Sequence, residues 1–223
     1  MKTVSMYKPR IKICCISSVE EMRLAVEYGA SAIGLVSEMP SGPGVIAEEL
    51  IENIATQTPP GVSTFLLTSK QNVNEIIEQQ KKCKTNTIQI VDNLIEGTHK
   101  ELKEALPGIS IVQVIHVNDE SSIDEAVKVS KDIDAILLDS GNQKLKVKEL
   151  GGTGRTHDWT LSKKIVESAR KPVFLAGGLN PNNVYDAIEK VNPYGIDLCS
   201  GVRTDGKLDE RKLSDLFNAI ERR

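Results

Sequence analysis

A thiol at position 14 and a carboxyl at position 139 are the two groups of this chain best placed to move protons. Each closes an apolar run: Cys14 lies near the end of Ile11–Ile16, and Asp139 directly follows Ala135–Leu138. A thiolate can serve as general base and a protonated carboxyl as general acid, if a fold brings them to one place. A cysteine with its unperturbed pKa of about 8.5 is mostly thiol at neutral pH. Lys12, two residues before Cys14, would lower that value electrostatically. Taken singly, a cysteine is more often inert filling and an aspartate after a strand more often a helix cap. Three glycine-bearing segments add a second kind of chemistry: Gly151-Gly152-Thr153-Gly154-Arg155, Ala176-Gly177-Gly178-Leu179-Asn180-Pro181 and Asp197-Leu198-Cys199-Ser200-Gly201-Val202. Glycine lets backbone N–H groups approach an anion closely, and a helix N-terminus adds partial positive charge.

Strand and helix signals alternate from end to end. Strands are expected at Ile11–Ile16, Ala32–Val36, Val62–Leu67, Thr87–Val91, Ser110–His116, Ala135–Leu138, Val173–Ala176 and Gly195–Cys199. Helical patterns lie between and after them: Val19–Tyr28, Ala47–Thr56, Val73–Lys82, Thr98–Ala105, Ser121–Ser130, Trp159–Ala169, Asn182–Val191 and Glu210–Glu221. Strict alternation implies a parallel sheet covered by helices. A doubly wound open sheet is the alternative, but eight units with glycine turns after the last two strands fit a single-domain (β/α)8 barrel over residues 1–223. In such a barrel the strand C-termini form the active mouth, so Cys14, Asp139 and the glycine turns would share it. Period-two alternation sets Ile11, Ile13 and Cys15 on the helix-facing side of strand one, and Lys12 and Cys14 inside. The same reasoning turns Gln89, Gln113 and Asp197 inward.

The bulk properties exclude several partners. With 28 basic and 31 acidic residues, a formal net charge of −3 and few aromatics, no nucleic-acid surface is expected. No apolar run is long enough for a membrane span, and Met1 to Arg10 lacks a signal-peptide core, so a cytoplasmic location is expected. Four cysteines without CxxC spacing and three well-separated histidines give no metal signature.

Five ordered segments resemble the phosphoribosylanthranilate isomerase family of tryptophan biosynthesis. They are Lys12-Ile13-Cys14-Cys15-Ile16-Ser17, Leu137-Leu138-Asp139-Ser140, the run from Gly151 to Trp159, the run from Leu175 to Val184, and Gly195 to Val202. The resemblance implies Cys14 as general base and Asp139 as general acid in an Amadori rearrangement needing no metal and no cofactor. It implies a small phosphorylated sugar-amine substrate, held by Lys12, Gln89, Gly152, Thr153, Gly154, Arg155, Gly177, Gly178, Asn180, Asp197, Ser200 and Gly201. The alternatives are a paralogue acting on another phosphoribosyl amine and a non-catalytic phosphosugar-binding barrel. Neither resemblance nor composition sets an oligomeric state.

This chain departs from the family pattern at four places. After strand two, Ser37-Glu38-Met39-Pro40-Ser41-Gly42-Pro43-Gly44 stands where the family carries an arginine that can engage the anthranilate carboxylate, and no arginine occurs between Arg23 and Arg155. Arg155 or Arg203 is left to replace it. Gln89-Ile90-Val91-Asp92 lacks the family's histidine, Cys15 replaces a glycine, and His157 stands where an aromatic is common.

Overall fold

A computed structural model describes residues 8–141, 150 and 154–221. Eight parallel strands close into a barrel in sequence order: β1 Arg10–Ile13, β2 Ala32–Val36, β3 Ser63–Thr68, β4 Thr87–Ile90, β5 Ser110–His116, β6 Ala135–Asp139, β7 Val173–Leu175 and β8 Gly195–Leu198. β1 and β8 pair in parallel, with Lys12 opposite Asp197 and Ile13 opposite Leu198, and this pairing completes the ring. Eight helices cover the outside: α1 Val19–Glu27, α2 Glu48–Gln57, α3 Val73–Cys83, α4 His99–Ala105, α5 Ser121–Val129, α6 Trp159–Ser168, α7 Val184–Val191 and α8 Glu210–Glu221.

Local sequence fixes where the helices begin. Ser18 accepts a hydrogen bond from Glu21 N–H at the start of α1, and Thr98 with Glu101 forms a reciprocal capping box at α4. Asn72 and Asp158 cap α3 and α6 in the same way. Each helix then lays an apolar stripe on the sheet; in α7 this is Val184, Ala187, Ile188 and Val191.

Two separate apolar layers result. The outer one, between strands and helices, holds Ile11, Ile13, Leu66, Ile88, Ile111, Ile136, Leu138 and their neighbours. The inner one, around the barrel axis, includes Phe65, Val112, Val114, Leu137 and Phe174, with Phe65 and Phe174 edge-on at 5.9 Å between ring centres. Lys12, Gln89 and Asp197 face this interior, as the alternation of their strands predicts.

Three expectations are corrected. Gln113 points outward, not inward: its Oε1 meets His99 Nε2 at 2.9 Å and its Nε2 donates to Ile90 O and Asp92 O, both at 3.2 Å. Val112 and Val114 take the inner positions, because a strand buried on both faces carries apolar residues on either side. Cys15 is not helix-facing. Strand β1 ends at Ile13, and Cys15 adopts a left-handed φ of 62°, which breaks the alternation and swings its side chain into the inner cluster. The turn after β8 does not run directly into a helix either. It forms a three-residue 3-10 turn, Ser200–Val202, then a small hairpin of β9 Arg203–Thr204 and β10 Lys207–Leu208 before α8.

Candidate active site

The mouth at the strand C-termini is a cavity with about 680 Å³ of empty space, counting what opens to solvent. Cys14, Gln89, Asp139, Gly154, Gly177, Gly178, Asp197 and Ser200 all line it. Eight of the residues singled out in the sequence are thus brought to one wall-to-wall site. Gly152 and Thr153 lie outside the described residues, as does Gly151.

Cys14 is held by its backbone. Its N–H donates to Leu198 O at 2.7 Å, and its carbonyl accepts from Arg203 Nη2 at 3.2 Å. Space for the thiol comes from Gly34 on β2: a Cβ there would stand 2.7 Å from Cys14 Sγ and 3.0 Å from Lys12 Nζ. The thiol donor of Cys15 lowers the Cys14 pKa, burial opposes this, and the Lys12 ammonium lowers it further. The net direction is toward thiolate. Lys12 is fully buried, and its Nζ lies 2.9 Å from Asp197 Oδ2 and 5.2 Å from the centre of the Phe65 ring. Burial alone would pull the ammonium pKa down; the carboxylate of Asp197, then the Cys14 thiolate, more than reverse it, so Lys12 stays charged.

Asp139 shows the opposite shift. Burial pushes its carboxyl up to about 6, against a hydrogen bond from Ser140 N–H at 2.7 Å; the Asp197 charge adds to the rise and Lys12 resists it. A base pulled toward thiolate and an acid pulled toward its protonated form face one cavity, which is how two groups divide the roles of an acid–base pair. Gln89 Oε1 and Asp197 Oδ1 are buried without hydrogen-bond partners. Leaving such an atom unpaired costs about 1–3 kcal/mol, a cost that a polar ligand in the cavity would offset.

Beside this pair lie the two glycine turns: a Cβ at Gly177 would be 3.3 Å from Asp139 Oδ1. Gly178 has φ 63°, and a Cβ on it would be 2.7 Å from the Arg155 carbonyl carbon and 2.8 Å from Thr156 N. Gly201 is packed so tightly that a Cβ would collide with Leu179 O, so one turn rests directly on the other. Among the described residues, the N–H groups of Gly177, Gly178, Ser200 and Gly201 have no acceptor. Unpaired backbone N–H donors at the ends of strands seven and eight are the kind of group with which barrels of this type hold a phosphate. The Asn180 side chain donates to Gly178 O at 3.2 Å and accepts from Asn182 N–H at 2.9 Å, bracing the turn.

With this geometry in hand, the whole chain can be compared with known proteins. The family model for N-(5'-phosphoribosyl)anthranilate (PRA) isomerase matches residues 11–219. The chain belongs to this isomerase family. It is similar to the N-(5'-phosphoribosyl)anthranilate isomerase of Methanocella arvoryzae, 32% identical over 204 residues that cover 92% of this chain and 93% of that one. It is 35% identical over 206 residues to N-(5'-phosphoribosyl)anthranilate isomerase 2 of Methanosarcina mazei, covering 92% of this chain and 90% of the relative. Among solved structures it resembles the phosphoribosyl anthranilate isomerase of Thermotoga maritima, with TM-score 0.80, 27% identity and coverage of 96% and 100%. A phosphoribosyl anthranilate isomerase solved with reduced 1-(o-carboxyphenylamino)-1-deoxyribulose 5-phosphate aligns with TM-score 0.77, 25% identity and the same coverage.

Against the family pattern, the missing arginine after strand two is filled by Met39, Ser41, Gly42 and Pro43, which line the cavity. Arg203 does not replace it. Its guanidinium is buried against Glu21, with Nη1 to Oε1 at 2.9 Å and Nη2 to Oε2 at 3.0 Å, and also donates to Gly206 O and to the carbonyls of Cys14 and Cys15. This clamp ties the hairpin after β8 to the turn carrying the thiol. Arg155 stands exposed, with its backbone carbonyl packed against Gly178. His157 packs its Nδ1 beside Gly177 and meets Ser162 Oγ at 2.7 Å; burial pushes it down to about 4, so it is neutral at physiological pH. Sequence reasoning missed Gly34, whose role shows only once β2 lies beside β1, and Cys199, which lines the cavity next to Cys15.

Proposed function

We propose that the chain catalyses the cofactor-free Amadori rearrangement of N-(5'-phosphoribosyl)anthranilate to 1-(o-carboxyphenylamino)-1-deoxyribulose 5-phosphate, as a cytoplasmic step of tryptophan biosynthesis, with residues 1–223 acting as one barrel domain. The observation that carries this is the pairing, at one cavity, of a cysteine drawn toward thiolate and an aspartate held up near pH 6, with the two glycine turns lining the same cavity. Asp139 donates its proton to the ribose ring oxygen; the C1–O bond breaks and a Schiff base forms. The Cys14 thiolate then takes the C2 proton; the C2–H electron pair forms the C1=C2 bond and the C=N π pair returns to nitrogen, giving an enolamine that tautomerises to the aminoketose. Each group contributes about 10²–10⁴-fold. Gly177, Gly178, Ser200 and Gly201 bind the phosphate, and that remote binding energy positions the reacting carbons. Gln89 and Asp197 supply acceptors to the sugar hydroxyls through the oxygens that have no partner in the protein. Phosphate binding alone would need neither Cys14 nor Asp139, which weighs against a non-catalytic barrel. Complementation of a tryptophan auxotroph lacking the isomerase tests the reading: growth with the wild type and none with Cys14→Ala is expected, and failure of the expressed wild type to support growth would overturn it.

A further inference from the structure

The sulfurs of Cys15 and Cys199 lie 2.6 Å apart at the wall of the cavity, and both residues line it. Their meeting follows from the barrel closure. Ile13 is opposite Leu198 across β1 and β8, so the chain just past each strand end runs side by side with the other. Neighbouring strands are about 4.7–4.9 Å apart, inside the roughly 4.4–6.8 Å between Cα atoms that a disulfide spans. The left-handed turn at Cys15 then directs its thiol to the mouth instead of the helix layer. Gly44, from the loop after β2, closes over it; a Cβ there would be 3.1 Å from Cys15 Sγ. Cys199 is the partly exposed member of the pair and Cys15 the buried one; both are free thiols in this structure.

We propose that Cys15 and Cys199 are an oxidative modification site, forming a reversible disulfide across the barrel mouth in response to a peroxide. The exposed Cys199 thiolate attacks one peroxide oxygen; the O–O bond breaks, the other oxygen leaves as water, and Cys199 becomes a sulfenic acid. Cys15 sulfur then attacks the Cys199 sulfur, the S–S bond forms, the S–O bond breaks and a second water leaves. Two thiols are oxidised and one peroxide is reduced to two waters. Cys15 suits the resolving role because its sulfur already lies 2.6 Å from that of Cys199. Oxidation removes the Cys15 thiol proton that stabilises the Cys14 thiolate. Turnover should therefore fall by about tenfold or more, the effect of losing one hydrogen bond to a charged group.

The test is treatment of the full chain with stoichiometric hydrogen peroxide, blocking of free thiols with N-ethylmaleimide, and peptide mass mapping without reduction. A crosslink between the peptides bearing Cys15 and Cys199 is expected, retained in Cys14→Ser, absent in Cys199→Ser and reversed by dithiothreitol. Because the crosslink is read by mass, it stands or falls separately from the isomerase reading. A crosslink that disappears in Cys14→Ser, or oxidation of Cys14 to sulfinic acid with no crosslink, would overturn the proposal.

Discussion

Replacing Lys12 with Met should move the titration of Cys14 while leaving its position in place. Lys12 Nζ and Cys14 Sγ lie 3.0 and 2.7 Å from one point above Gly34, which puts them within about 6 Å of each other. At an effective dielectric constant of about 20, a charge at that distance is worth about 3 kcal/mol, or roughly two pKa units. The Cys14 pKa is lowered in the folded protein, so thiolate is present above that value and lost as pH falls through it. Removing the ammonium raises the value and shifts the whole limb to higher pH. At pH 7 the thiolate fraction, and with it kcat, should drop by up to about 100-fold and recover on alkalinisation. The assay is the pH dependence of iodoacetamide alkylation at Cys14, followed by peptide mass mapping, beside a pH–rate profile. Breaking a buried pair destabilises by about 3–5 kcal/mol, so Lys12→Met/Asp197→Asn is measured in parallel; without the Asp197 charge, which opposes the thiolate, its shift should be smaller. An alkylation midpoint that does not move in folded Lys12→Met would refute the electrostatic role of Lys12.

Asp139, raised from 3.8 to about 6, favours folding below the unfolded value and loses that contribution as pH rises through 6. Asp139→Asn should therefore stabilise the chain by about 1–3 kcal/mol at pH 8 and not at pH 4, readable as a Tm difference between the two pH values. Arg203→Met leaves the half-buried Glu21 without its ion pair and frees the Cys14 carbonyl. It should cost about 3–5 kcal/mol in urea unfolding, partly restored in Glu21→Gln/Arg203→Met. If Arg155 supplies the cation missing after β2, Arg155→Ala raises KM for phosphoribosylanthranilate by roughly one to two decades with kcat little changed. Steady-state kinetics decide, and an unchanged KM removes Arg155 from the site.

The barrel and most of the site could be read from residue order because each βα unit carries its own signals. Apolar runs, capping residues such as Ser18 and Thr98, and glycines at the last two turns are local features. What failed depended on context. Val112-Gln113-Val114 alternates cleanly, but in a strand buried on both sides the polar residue can sit on either face, and a partner at His99 drew Gln113 outward. Cys15 was placed by parity, and a single left-handed φ overrode parity. The hairpin of β9 and β10 is two residues per strand, too short for periodicity to register. Arg203 looked free for substrate until its partner Glu21, 182 residues away in sequence, came into view. The role of Gly34 likewise exists only between strands.

Single-turnover conversion of phosphoribosylanthranilate by the wild type, Cys14→Ser and Asp139→Asn bears most directly on the assignment of base and acid. The wild type should convert bound substrate rapidly, and each variant should be slower by about 10²–10⁴-fold while still binding it through the phosphate turns. Conversion at the wild-type rate by either variant would contradict the division of labour between the Cys14 thiolate and the Asp139 carboxyl.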